Sequence, residues 1–120
     1  MSLYQQDNIF AKILRVEIPC KKVFENEFVL AFHDIAPKAP IHILILPKQA
    51  AVSTNDFGGN ATPAMAKALW EAIPQVAELA GVKESGYRII ANCGGNAHQE
   101  VPHLHLHLLA GRPLGAMLVE

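Results

Sequence analysis

Val101-Pro102-His103-Leu104-His105-Leu106-His107-Leu108-Leu109 is the stretch that decides the fold. Strand side chains alternate between faces with period two. His103, His105 and His107 therefore share one face of a strand spanning His103 to Leu109, and Leu104, Leu106 and Leu108 share the other. The leucine face calls for a core. The imidazoles would stand roughly 6–7 Å apart in steps of two residues. His42 lies in another apolar run and is available to join them.

A polar sheet face carrying three histidines by accident fits badly with strict alternation in so apolar a chain. Two chemical readings remain. His-x-His on a strand can give two imidazoles to zinc, with His42 as a third ligand. Alternatively, one imidazole attacks while its neighbours fix its tautomer and bind a phosphate, because histidine titrates near neutrality. Spacing alone leaves both open.

Outward from this stretch, Asp7 is an expected N-cap for a short helix carrying Phe10, Ile13 and Leu14 on one face. Pro19 stops it. Val23-Phe24-Glu25 and Phe28 to His33 read as strands about an Asn26-Glu27 turn. Pro37 and Pro40 frame a loop. Ile41 to Leu46 is apolar on both faces, as a central covered strand should be. Asn55 to Asn60 reads as a loop. Thr62-Pro63 is a cap followed by proline at the first helical position. Met65, Leu69, Ala72, Val76 and Leu79 then recur at helical spacing up to Gly81, with a kink or break expected at Pro74. Tyr87 to Asn92 is a strand, and Cys93 to Asn96 a turn. The short connections favour an antiparallel sheet in an α+β domain with five strands, one short helix and one long helix.

The 120 residues suit one domain with a real core. A net charge of −1 and the lack of a Lys/Arg stripe argue against a nucleic acid polymer as partner. A small nucleotide needs only loop amides or helix ends. Two cysteines, Cys20 and Cys93, suggest no disulfide framework and fit a reducing compartment. The first residues lack signal-peptide character, and the longest apolar run is too short to span a membrane. The expected location is cytoplasmic.

His103 to Leu109 also matches the pattern His-φ-His-φ-His-φ-φ, with φ apolar. Ile18-Pro19, Phe32-His33-Asp34-Ile35, Ala39 to Leu44, Ile45 to Lys48, Asn92, Gln99-Glu100-Val101 and Gly111-Arg112-Pro113 extend the likeness. The chain resembles the histidine triad family along nearly its whole length. It looks most like the bacterial members of the branch that hydrolyses purine nucleoside phosphoramidates. The resemblance implies a single domain over residues 1–120. It also implies a homodimer in which two five-stranded sheets form a ten-stranded one. The implied ligand is a purine nucleotide such as AMP or adenosine phosphoramidate, and no cofactor is implied.

The resemblance also implies roles. His105 attacks the α-phosphorus, and the His103 carbonyl takes the His105 Nδ1 proton. His107 binds phosphate oxygens with Gln99 nearby, and His42 sits behind His103 in a relay. Amides around Glu100 and Val101 stabilise phosphate charge. Asp34 accepts from both ribose hydroxyls, with Asn92 in register. Ile9, Phe10, Ile13, Phe32 and Ile35 form the apolar slot for the purine. Many relatives bind zinc through two N-terminal cysteines, but here those positions are Asn8 and Ala11, so no metal is expected. His98 and Ala110 stand where relatives carry glycine. His98 either is a solvated loop residue or reaches the leaving group. The triad leaves a dinucleoside polyphosphate hydrolase, or a nucleotide-binding scaffold with incidental catalysis, as alternatives. The uridylyltransferase branch has glutamine at the third position, which here is His107.

Overall fold

A computed structural model describes residues 3–118. Its elements are α1 (Ile9–Leu14), β1 (Lys22–Glu25), β2 (Val29–His33), β3 (Ile41–Pro47), α2 (Thr54–Asn60), α3 (Pro63–Leu79), β4 (Tyr87–Ala91) and β5 (Leu106–Ala110), with a 3₁₀ turn at Gly95–Ala97. The five strands form one antiparallel sheet in the order β1-β2-β3-β5-β4. The expected α+β architecture is therefore present.

Strand parity divides the core. Ala31, Ile43, Ile45, Leu106 and Leu108 face Leu69, Ala72, Ile73 and Val76 of α3. On the other side, Leu30, Phe32, Leu44 and Leu46 pack with Phe10 and Ile13 of the short α1. Leu44 pairs with His107 across β3 and β5, so the histidine side of the sheet is the α1 side. α1 is too short to cover that side fully, and the uncovered end holds a cavity.

Four sequence-based expectations change. Asn8, not Asp7, caps α1: its Oδ1 accepts from the Ala11 amide at 2.8 Å. Residues 54–60 are a helix rather than a loop, because Ser53 and Asp56 form a capping box and Phe57 is buried. The two-helix count therefore becomes three. α3 continues through Pro74 as one helix, so of the expected kink or break the break does not occur. Pro74 and Trp70, the residue whose carbonyl loses its partner, both lie on the exposed side, where water can take the freed bond. Finally, β5 starts at Leu106. His103 to His105 precede it as irregular chain, with the Leu104 amide donating to the Ala51 carbonyl at 2.8 Å.

Among the described residues no helix is long and apolar enough to cross a membrane.

Candidate active site

The three histidines of the decisive stretch and His42 meet on the α1 side of the sheet. His103 is fully buried, and His42 and His105 nearly so. The His105 and His107 rings lie 4.9 Å apart between centroids, and the Phe10 ring meets His105 edge-on at 4.8 Å.

Two hydrogen-bond chains fix the tautomers. In the first, His103 Nε2 sits 2.8 Å from the Pro47 carbonyl, which can only accept. Nε2 therefore carries the proton, and His103 Nδ1 accepts from the Tyr4 hydroxyl at 2.7 Å. His105 Nδ1 lies 2.7 Å from the His103 carbonyl and must donate to it. Neutral His105 thus keeps an unprotonated Nε2.

In the second chain, the Lys38 amide donates to His42 Nδ1 at 3.0 Å. The proton of neutral His42 is then on Nε2, which donates to His107 Nδ1 at 2.9 Å. His107 in turn carries its proton on Nε2. One chain leaves a lone pair on His105, and the other leaves an N–H donor on His107.

The resemblance placed His42 behind His103, and the structure corrects this. β3 and β5 pair His42 with Leu109 and Leu44 with His107. His42 therefore reaches His107. His103 instead bonds the carbonyl of Pro47, which lies five residues, or about 16 Å, along β3 from His42.

Burial holds all four imidazoles below the usual histidine range. His107 is pushed down to about 4, first by burial and then by the neighbouring His105 and His42. A depressed histidine favours the neutral folded form. The stability it contributes is intact above pH about 6.5 and is lost as pH falls toward the folded value. We expect thermal stability to drop between pH about 6.5 and 4, and the acid limb of any His105-dependent activity to lie below pH 6.5. Melting curves and a pH–rate profile check both.

A cavity of about 300 Å³ opens beside the histidines, lined by Asp34, Asn92, His98, Glu100, His105 and His107 among others. Asp34 divides its oxygens. Oδ1 accepts from the Ala36 amide at 2.8 Å, and Oδ2 lies 3.5 Å from His42 Nε2. His98 adopts a left-handed backbone, φ +57°, a conformation that favours glycine. Its imidazole lies on the surface 2.9 Å from Glu100.

Other expected site residues stand apart from the cavity. Gln99 braces the loop: it donates to the carbonyls of Val52 and Val101 and accepts from the Gly94 amide. Its side chain does not line the cavity. Phe10, Ile13 and Phe32 are closed into the core, whereas Ile9 and Ile35 are exposed, Ile35 almost completely. The half-buried Val101 packs against the same core cluster. Sequence reasoning missed Tyr4, the Lys38 amide and the Pro47 carbonyl. Backbone groups leave no trace in residue identity, and Tyr4 lies ninety-nine residues from its partner.

The residues do not favour a metal at either candidate place. Asn8 uses its side chain to cap α1, and Ala11 offers no donor atom. Asp34, His42 and His107 bring ligand atoms within 4.8 Å of one another. However, a metal on His42 Nε2 would put the ring proton on Nδ1, against the Lys38 N–H.

These histidines sit in a chain whose relatives are recognisable throughout. The HIT domain pattern matches residues 15–114. An uncharacterised 13.2 kDa HIT-like protein of Azospirillum brasilense is 56% identical over 98% of this chain and 96% of its own. The purine nucleoside phosphoramidase of Escherichia coli K12 is 44% identical, covering 96% of each chain. A histidine triad protein from Clostridium difficile superposes with a TM-score of 0.86 at 40% identity, over 95% of this chain and 98% of that one. Sequence pattern, fold and the clustered histidines agree: the chain belongs to the HIT domain family.

Proposed function

We propose that the protein hydrolyses purine nucleoside phosphoramidates through a nucleotide covalently attached to His105. One observation carries this reading. The two hydrogen-bond chains put opposite tautomers side by side, a nucleophilic His105 Nε2 and a donating His107 Nε2–H. A phosphoryl group needs both, an attacking lone pair and a donor for its oxygens. His105 attacks the α-phosphorus, the P–N bond breaks, and the departing nitrogen takes up a proton from solvent and leaves as the amine. Water then attacks the phosphorus and gives up a proton to solvent, the bond from phosphorus to His105 Nε2 breaks, and the nucleoside monophosphate is released. Among the described residues the Glu100 and Val101 amides have no internal acceptor, which supports a role toward phosphate charge. The likeness to the E. coli phosphoramidase supports the substrate class.

The test is turnover of adenosine phosphoramidate against diadenosine polyphosphates by the purified protein. Faster turnover of the phosphoramidate is expected. Faster turnover of the polyphosphate would move the protein to the other hydrolase branch, and turnover of neither would leave a binding module.

Asp34 tests the sugar site. Its Oδ2 is free of the turn that Oδ1 caps. Asp34→Ala should weaken ribonucleotide binding more than 2′-deoxyribonucleotide binding, narrowing the gap by roughly 1–2 kcal/mol. Equal losses for both sugars, seen by calorimetry, would reduce Asp34 to a turn cap.

We also propose a homodimer joined along β4, which is an edge of the sheet. Pairing would close that edge, and Trp70 on α3 is an exposed aromatic for a second contact. Sedimentation as a dimer at micromolar concentration is expected, and a monomer would contradict it.

A further inference from the structure

We propose that Tyr4 is a positioning residue for the nucleophile, acting through His103. This rests on the assignment of His105 as nucleophile. The stretch Val101 to His105 lies outside the sheet and lacks its ladder. Four bonds anchor it instead: Gln99 Nε2–H to the Val101 carbonyl, the Leu104 amide to the Ala51 carbonyl, His103 Nε2–H to the Pro47 carbonyl, and the Tyr4 hydroxyl to His103 Nδ1. His105 takes its orientation from the carbonyl of His103. Anchoring the His103 ring at both nitrogens tethers the backbone that carries it, and so limits how far the carbonyl that aims His105 can shift.

Two points hold that ring. Pro47 fixes its Nε2 side. The Nδ1 side faces Tyr4, which arrives from the segment before α1 and meets the ring edge-on at 5.6 Å. His103 is fully buried, so no water replaces the hydroxyl without rearrangement. The N-terminal segment thus completes a chain that runs from phenol to imidazole to carbonyl to the attacking ring. α1 begins a few residues later with Asn8 as its cap, so the helix that carries Phe10 onto His105 also sets where Tyr4 enters.

Tyr4→Phe keeps the aromatic ring and removes only the donor. It is expected to lower kcat about tenfold with KM changed by less than about twofold, as loss of a single aligning hydrogen bond should. Tyr4→Ala should lose no more than a further small factor. Nitrogen-15 spectra of labelled histidine give a readout that packing alone would not move. In the wild type, His103 Nδ1 should resonate as a hydrogen-bonded acceptor, and in Tyr4→Phe it should shift to the position of a free imine nitrogen. Wild-type kcat in Tyr4→Phe, or loss of kcat only in Tyr4→Ala, would overturn the proposal. So would a free-imine resonance for His103 in the wild type, which needs no variant to fold. The spectra need no substrate, so a failure of the phosphoramidase reading in turnover assays stays separate from a failure of the Tyr4 contact.

Discussion

His105→Ala should lose turnover by at least about a thousandfold, roughly 4 kcal/mol of barrier, while nucleotide binding survives. The reason is that no neighbour can take over the attack. His107 spends Nδ1 on His42 and points a proton, not a lone pair, outward. His103 uses both ring nitrogens and is wholly buried. His42 is likewise engaged on both sides. The substitution also removes an edge contact to Phe10 but leaves the His103 anchors intact, so the fold should persist. Turnover measured alongside nucleotide calorimetry separates loss of chemistry from loss of the site. Near-wild-type turnover would mean that another atom attacks.

Gly111→Ala should destabilise the protein by about 3 kcal/mol, a fall in Tm on the order of 10–20 °C. Two costs add. Gly111 has φ +101°, a backbone that side chains disfavour. A Cβ there would stand 2.8 Å from the Pro40 Cβ and 3.3 Å from the Ile41 amide nitrogen. Pro40 is a rigid ring and cannot swing aside. It lies between Lys38, whose amide holds His42, and the start of β3, so the strain passes to the site as well. Gly115→Ala is the control. Its φ is +80°, but nothing lies within 4 Å of the added Cβ, so only the backbone cost of roughly 1 kcal/mol remains. Equal thermal shifts for the two variants would remove the steric argument. Ala110, one residue earlier, is already tolerated: it is buried and paired in β5 with Ile41 and Tyr87.

Much of the fold was legible because parity and caps are local. Alternation of histidine and leucine assigned the two faces of β5, and the doubly apolar Ile41 to Leu46 announced the central strand. Thr62-Pro63 marked the start of α3. Other features depended on information that no local window holds. The Gly-rich residues 54–60 read as a loop until Ser53 and Asp56 are seen as a reciprocal cap, a spacing the sequence did contain. The partner of His42 is set by the β3–β5 register, which pairs Leu44 with His107. A shift of a few residues would have sent His42 toward His103 instead. The histidines themselves were found from spacing and family likeness, whereas their tautomers required the Lys38 amide, the Pro47 carbonyl and the Tyr4 hydroxyl. The slot residues Phe10, Ile13 and Phe32 show why apolar patterns identify sites poorly: here they also build the core on the α1 side.

The central claim is that the unprotonated Nε2 of His105 forms the bond to phosphorus. The most direct measurement is intact-mass and peptide mapping of protein quenched in alkali during turnover of adenosine phosphoramidate, with His105→Ala in parallel. A nucleotidyl adduct on His105 in the wild type, missing from the variant, is the expected result. An adduct on another residue, or steady turnover with no adduct on His105 at the earliest quench times, would contradict it.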